Sequence, residues 1–342
     1  MAKVVTFGEI MLRLSPPGFE RLFQSPVLGA TFGGGEANVA VSLAHFGLES
    51  HFVTRLPSHA VGEAAVKALR AEGVHTASIV RGGDRVGIYF AEAGASQRAS
   101  SVVYDRAHSS VAGLDPGTID WKSVMAGAAW FHVTGITPAL GTKAAACTRE
   151  SMEAARAAGA RVSVDLNFRK KLWSSSQAQA TMRPMMSLVD VVIANEEDIQ
   201  TVLGLHVPET DVTSGQLNLA GYRQVAKQIT GDLGPAIVAI TLRESVSASD
   251  NGWSAALWDA EAGAFYHSQR YDVRLVDRIG GGDSFAAGLI FSLITGRTPE
   301  AALRFAVAAS ALKQTIPGDF NRVSVTEVDA LANGDASGRV QR

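Results

Sequence analysis

The chain has 342 residues, of which 46% are hydrophobic and 19% charged, and 31 Lys+Arg against 33 Asp+Glu leave a formal charge of -2. This balance excludes a disordered chain, which would be poorer in apolar side chains and further from neutrality, and it supplies no broad basic footprint for nucleic acid or an anionic membrane. One cysteine, Cys147, excludes an intramolecular disulfide and a cysteine-built metal cluster, as expected in a reducing compartment.

From the amino terminus, Val4–Phe7 reads as a strand. Glu9 and Arg13 interrupt the apolar stretch that a secretion signal needs, and no later run reaches about 18 apolar residues, so the chain is expected in the cytoplasm. Residues from about 12 to 32, rich in Pro, Gly and Phe, break the rhythm. A helix over Glu36–Phe46, a strand at Phe52–Thr54 and a helix over Val61–Glu72, closed by Gly73, restore it. Val86–Glu92 and Ser101–Arg106 then read as paired antiparallel strands around a Gly/Ser/Gln loop. Two readings fit this pair: a lid over the carboxyl edge of a larger sheet, or an ordinary hairpin excursion.

The rhythm resumes with a strand at Trp130–Thr134, a helix near Thr142–Ala158 stopped by Gly159, and strands at Val162–Asp165 and Val189–Ala194. A helix over Glu196–Leu203 ends at Gly204, and another is expected over Ser284–Thr295. Uninterrupted Val/Ile runs such as VDVVIA suit strands buried on both faces. The fold class is therefore α/β, a mostly parallel central sheet flanked by helices. Residues 333–342, small and polar, read as a flexible tail.

Four clusters carry possible chemistry. In Asp277-Arg-Ile-Gly-Gly-Gly-Asp283, the amides of Gly280, Gly281 and Gly282 run into a helix start and can converge on an anion. Asp283 there either caps the helix or accepts a hydroxyl proton during phosphoryl transfer. Asp165-Leu-Asn-Phe-Arg169 puts polar side chains at a strand's carboxyl end, as a substrate loop or a plain turn. Ala194-Asn-Glu-Glu-Asp198 sets carboxylates in a first helical turn, where they complement the dipole or hold Mg²⁺ through water beside a phosphate. Phe32-Gly-Gly-Gly-Glu-Ala-Asn38 opens a buried helix, for tight packing or for contact with a polyhydroxyl ligand. Tyr89, Tyr104 and Arg106 lie on the paired strands, where an Arg faces solvent or an anionic substrate. No H-E-x-x-H, Gly-x-Ser-x-Gly or P-loop motif occurs, so zinc hydrolysis, serine hydrolysis and P-loop chemistry recede.

Taken in order along nearly the whole chain, these pieces resemble the PfkB/ribokinase family of carbohydrate kinases. Gly34-Gly-Glu-Ala-Asn38 is similar to the family's amino-terminal Gly-Gly-x-x-x-Asn, and Asp277–Asp283 to its carboxy-terminal D-T-x-G-A-G-D. Arg278 departs from the usual Thr and Gly281 from the usual Ala. Asn195-Glu-Glu-Asp198 is similar to N-x-x-E with Asp for Glu, and Thr241-Leu-Arg-Glu-Ser-Val-Ser-Ala-Ser lacks the usual glycine-containing nucleotide loop.

The resemblance implies a ribokinase-like domain over 1–332, with a small antiparallel β lid from segments at about 10–33 and 86–110. It implies ATP and Mg²⁺, with Asp283 as general base and Gly280, Gly281 and Gly282 as anion hole. Gly34, Asn38, Tyr89, Tyr104, Arg106 and Arg169 would hold the sugar. Asn195, Thr241 and Arg243, with Gly280 and Gly282, would meet the nucleotide, and Glu197 or Asp198 would hold Mg²⁺ through water.

Within the family the likeness is greatest to kinases of 2-keto-3-deoxygluconate. It runs through GEIMLRLSPPG, Tyr89, Tyr104-Asp-Arg106, Asp165-x-Asn-x-Arg169 and Ile316-Pro-Gly-Asp-Phe-Asn321. The expected reaction is phosphorylation of that sugar acid at its terminal hydroxyl, with Arg106 and Arg169 on the carboxylate. A fructokinase, a 5-keto-2-deoxygluconokinase, and a sugar-sensing regulator that has lost turnover are the competing readings. Partners are expected to be the sugar acid and ATP, with no nucleic acid or membrane, and a homo-oligomer through the lid is open.

Overall fold

The computed structural model describes residues 1–206 and 218–338. The chain opens with β1 (Lys3–Phe7), leaves the main sheet for β2 (Met11–Ser15) and β3 (Gly29–Gly33), and returns through α1 (Gly35–His45) and β4 (Glu49–Val53). A short pair, β5 (Arg55–Leu56) and β6 (Val80–Arg81), brackets α2 (Ala60–Ala71), and β7 (Ile88–Glu92) and β8 (Ser101–Asp105) rejoin β2 and β3. After α3 (Trp121–Met125) come β9 (Ala128–Thr134), α4 (Ile136–Ala139), α5 (Thr142–Ala157), β10 (Arg161–Asp165), α6 (Ser175–Met185), β11 (Val191–Asn195), the single turn α7 (Glu196–Asp198) and α8 (Leu219–Leu233). The hairpin β12 (Ile237–Ser245) and β13 (Asp250–Asp259), then β14 (Ala264–His267) and β15 (Tyr271–Arg274), complete the sheet, before α9 (Gly281–Ile294), α10 (Pro299–Lys313) and α11 (Val325–Ala332).

The main sheet runs β14-β13-β12-β11-β10-β9-β1-β4, with β15 also on β13. From β4 to β12 every pairing is parallel, and β13 then turns antiparallel. Each parallel strand is buried on both faces. On β11, Val191 and Ile193 join the core under α1, α9, α10 and α11, whereas Val192 and Ala194 join the core under α3, α5, α6 and α8. At about 1.5–3 kcal/mol for a fully buried Val or Ile, such strands hold both helical layers.

The small sheet, β3-β2-β7-β8, is antiparallel within its two outer pairs and parallel where β2 meets β7. Strands thus occupy the two ends of the Pro/Gly/Phe-rich stretch, within the lid segment expected at about 10–33. The predicted helix over Glu196–Leu203 is one α-turn followed by a wider π-type turn at Ile199–Leu203, and it stops at left-handed Gly204 (φ 67°). Thr241 and Arg243 lie within β12 rather than on a loop. Without a glycine to turn the chain, the segment continues as strand. Helix α9 starts three residues before the predicted Ser284, because Gly280, at φ 84°, turns the chain and lets Gly281 begin the helix. Residues 333–338 carry no helix or strand, and the remainder of the expected tail lies outside the described residues. Among the described residues, no helix is long and apolar enough to cross a membrane.

Parallel pairing aligns the strands' carboxyl ends. Thr134 stands beside Asp165, and Asn195 beside Thr241, which sets a row of polar side chains along one edge of the sheet.

Candidate active site

A cleft of about 1360 Å³ opens along that edge, under the small sheet. Its lining includes every residue singled out from the sequence: Gly34 and Asn38, then Tyr89, Tyr104 and Arg106, then Arg169, Asn195, Glu197 and Asp198, then Thr241 and Arg243, and Gly280 to Asp283.

Two helices start in it on glycine with no side-chain cap: α1 after Gly34 and α9 after Gly280. The Gly281 N–H donates to the Arg278 carbonyl at 3.4 Å, and the positive dipole ends of both helices favour an anion in the cleft. Neither glycine tolerates a side chain. A Cβ on Gly34 would lie 2.0 Å from the Glu9 carbonyl oxygen, and one on Gly280 2.2 Å from that of Asp319.

Asn38 and Asp283 join the two helices. Asn38 Nδ2 donates to Asp283 Oδ2 at 2.7 Å, and Asn38 Oδ1 accepts from the Gly34 N–H at 3.2 Å. The Gly34 amide is therefore engaged within the protein. Asp283 does not cap α9: it sits in the first turn with its carboxylate at the cleft. Burial raises its pKa to about 6, against the pull of the Asn38 hydrogen bond and the Arg169 and Lys313 charges.

Glu36, absent from the expected site, anchors α1. Its Oε1 accepts from Thr137 Oγ1 (2.6 Å), Thr134 Oγ1 (2.8 Å) and Thr134 N–H (2.9 Å), and burial raises its pKa to about 7.

The two arginines assigned to a substrate carboxylate differ. Arg106 is buried and its guanidinium is held by Glu9, while its cation also stands 5.4 Å from the Tyr104 ring centre. Arg169 is half-buried, and among the described residues its guanidinium donates to the neighbouring Phe168 carbonyl, at 3.0 Å, and pairs with no carboxylate. Asn167, in the left-handed region at φ 38°, turns the chain there. Asn tolerates that conformation better than most residues. Arg169 is the available guanidinium, and Lys171, with its ammonium 5.9 Å from the Tyr104 ring centre, lines the cleft beside it.

Tyr89 presents no free hydroxyl: its O–H donates to Asp319 Oδ2 at 2.5 Å. Asp319 also accepts from Arg13 (2.7 Å), which in turn pairs with Asp277 (2.6 Å). Against the cost of burial, the two carboxylates hold Arg13 above its ordinary pKa. Lys313, fully buried, donates to the carbonyls of Asp277 (3.2 Å) and Ile316 (3.3 Å). Strands β2 and β7 are thereby tied to the loop that shapes the start of α9. Neither Arg13 nor Asp319 stood among the expected site residues, because charge pairing across 306 positions leaves no local pattern.

Acidic groups gather where β10 and β11 end. Burial, then Asp198 and Asp283, raise the pKa of Asp165 well above the usual carboxylate range, and burial raises that of Asp198 to about 6. Asp198 Oδ1 accepts from Phe168 N–H, and Asn195 Oδ1 caps the turn by accepting from Asp198 N–H. Among the described residues, no group of three or more His, Cys, Asp or Glu side chains forms a protein-only metal site. Glu197 is exposed, and with Asp198 it supplies hard oxygen donors to the cleft, as suits Mg²⁺ that keeps most of its waters.

An open α/β sheet with two uncapped helix starts meeting at an aspartate in one cleft is the build of a phosphotransferase. The description "pfkB family carbohydrate kinase" matches residues 1–322, and the chain belongs to that family. It is 34% identical over 339 residues to a 2-dehydro-3-deoxygalactonokinase of Haloferax volcanii, covering 98% of each. It is 26% identical over 326 residues to a 2-dehydro-3-deoxygluconokinase of Bacillus subtilis, covering 94% of this chain and 93% of that one. The crystal structure of a 2-dehydro-3-deoxygluconokinase from Thermotoga maritima superposes with a TM-score of 0.94 at 48% identity, over 98% of this chain and 100% of that one. The chain is an α/β carbohydrate kinase with a ribokinase-like fold.

Breaking the Arg13 pairs should be severe. Arg13→Met leaves Asp277 and Asp319 buried without their cation and is expected to cost about 3–5 kcal/mol in urea unfolding. A loss of only about 0–1 kcal/mol, the range of a surface pair, contradicts this reading.

Proposed function

We propose that the protein transfers the γ-phosphoryl group of ATP to the terminal hydroxyl of 2-keto-3-deoxy-D-gluconate, giving the 6-phospho product. The observation that carries this is the Asn38–Asp283 hydrogen bond between two uncapped helix starts, with the free cation of Arg169 in the same cleft. The similarity to named kinases of 3-deoxy sugar acids supports the substrate class.

Asp283 accepts the hydroxyl proton as the phosphoryl group moves. Its raised pKa, still below neutrality, leaves it ionised at pH 7 yet more basic than an ordinary aspartate. Phosphoryl transfer passes through a loose transition state, so positioning and charge stabilisation matter more than early deprotonation. The amides of Gly280, Gly281 and Gly282 and the α9 dipole stabilise the transferring oxygens. Asn38 orients both Asp283 and a sugar hydroxyl, and Arg169, flanked by Lys171, binds the sugar carboxylate. Tyr104 offers its ring to the sugar's apolar face, while Arg106 and Tyr89, engaged with Glu9 and Asp319, position the wall. Asn195, Thr241 and Arg243 meet the nucleotide. Mg²⁺, held through water by Glu197 and Asp198, would shield charge on the phosphates. Closure of the small sheet over the sugar excludes water.

The lone Cys147 is buried, as suits work in the cytoplasm. The outer face of the small sheet exposes Val103, and Phe23 packs on Phe90 there, so two copies joining through this sheet complete the proposal. Sedimentation should give twice 35.9 kDa for the native chain and a lower mass for Val103→Lys; a native monomer rules the pairing out.

The substrate test is ADP release across 2-keto-3-deoxygluconate, its C4 epimer 2-keto-3-deoxygalactonate, fructose and 5-keto-2-deoxygluconate. The 34% identity to a galactonokinase makes the epimer the sharpest competitor. Arg169→Ala should raise KM for the acid sugars roughly tenfold or more, the loss of a charged hydrogen bond, and leave fructose nearly unaffected. Equal losses for acid and neutral sugars contradict the carboxylate contact. Binding of sugars without any ADP release favours a sensing role.

A further inference from the structure

Two cations without an acid to hold them stand at the end of the cleft remote from the sugar. Arg243 projects from β12, and Arg278 lies two residues before the Gly280 turn; both line the cleft. Arg278 is half-buried, and its Nε is shut away from water with no acceptor. Around the cleft Arg13 pairs with Asp277 and Asp319 and Arg106 with Glu9, and the other arginine without an ion pair among the described residues, Arg169, stands on the sugar side. Glu244, next to Arg243 in sequence, is committed to Arg270. Among the described residues, neither Arg243 nor Arg278 has a carboxylate partner. Burial and then the like charge of Arg243 lower the pKa of Arg278. Arg243 is exposed and Arg278 half-buried; holding a half-buried guanidinium beside a second one costs free energy unless an anion joins them.

Their surroundings are also unfinished. Trp253, opposite Arg243 in the β12–β13 register, and Asn251 line the same end of the cleft. The Trp253 indole nitrogen and both polar atoms of the buried Asn251 amide have no hydrogen-bond partner. A cluster of orphaned groups beside two free cations fits a ligand with several anionic oxygens.

We propose that Arg243 and Arg278 form a two-arginine clamp on the phosphate chain of the bound nucleotide, with Arg278 a binding residue in its own right. This rests on the kinase reading above. The sugar side is set by α1, β8 and the end of β9, and Arg243 stands on β12, three strand spacings away, roughly 14 Å. In-line transfer sends the leaving phosphates away from the hydroxyl and its base, toward that side. Guanidinium forks match phosphate oxygens bidentately, and the bound anion relieves the repulsion between the arginines.

The test measures melting and nucleotide binding for the full chain, native and as Arg278→Met and Arg243→Met, with MgADP, AMP and adenosine as probes. Without nucleotide, Arg278→Met should melt at or above the native temperature. Its Kd for MgADP should rise about tenfold or more, as for a lost charged hydrogen bond. The loss should shrink for AMP and vanish for adenosine, and Arg243→Met should follow the same order. Arg278→Lys should recover part of the affinity by restoring the charge without the fork. An unchanged Kd for MgADP in Arg278→Met, or equal losses for adenosine and MgADP, overturns the clamp while leaving the kinase reading intact. A native protein that binds neither MgADP nor MgATP overturns both.

Discussion

Arg13, buried between Asp277 and Asp319, is the contact on which the geometry of the cleft depends. It reaches from β2 of the small sheet to Asp277 in the loop that leads into α9 and to Asp319 in the turn between α10 and α11. Tyr89 adds a second strand of the small sheet through Asp319, and Lys313 fastens the same loop from below through the Asp277 and Ile316 carbonyls. Burial of so many charged groups is a poor source of net stability, because desolvation offsets most of the Coulombic gain. Its effect here is to fix register. The roof of the cleft and the amides of Gly280 to Gly282 share one set of bonds, so neither can shift without the other.

That constraint explains how a carboxylate comes to sit at a helix start built for anions. Asp283 lies in the first turn of α9, where the dipole favours its charge, yet burial and Asp319 oppose ionisation. The Asn38 hydrogen bond and the charges of Arg169 and Lys313 bring its pKa back to about 6. Asn38 is itself locked by the Gly34 amide, and α1 is anchored through Glu36 to Thr134 at the end of β9 and Thr137 in α4. The charge balance runs along the cleft from paired cations beneath the small sheet, through the carboxylates at the ends of β10 and β11, to the unpaired arginines at β12.

Much of this was legible in the sequence, for identifiable reasons. A parallel strand buried on both faces leaves a Val/Ile run, as in β11, and β9 and β10 were legible from the alternation of strand-like and helix-like stretches around it. Glycine triplets before a helix mark an uncapped start, and the residues around Gly34 and Gly280 followed. Partners of charged groups could not be read: Arg106 meets Glu9 across 97 positions and Arg13 meets Asp319 across 306. That blindness is why Arg106 looked available to a substrate carboxylate when Arg169 is the available one. The hairpin of β12 and β13 was equally hidden, because the expected nucleotide loop marks its turn with glycine and this chain does not.

In the proposed mechanism Asp283 removes the hydroxyl proton, in a site that Asn38, Arg169 and the glycine amides otherwise complete. The most direct measurement is kcat of Asp283→Asn with 2-keto-3-deoxygluconate and MgATP, alongside its melting temperature and sugar affinity. A fall in kcat of about a hundredfold to ten-thousandfold, the range for a general base, is expected, with melting and sugar binding near native. Turnover close to the native rate in a folded Asp283→Asn protein would contradict it.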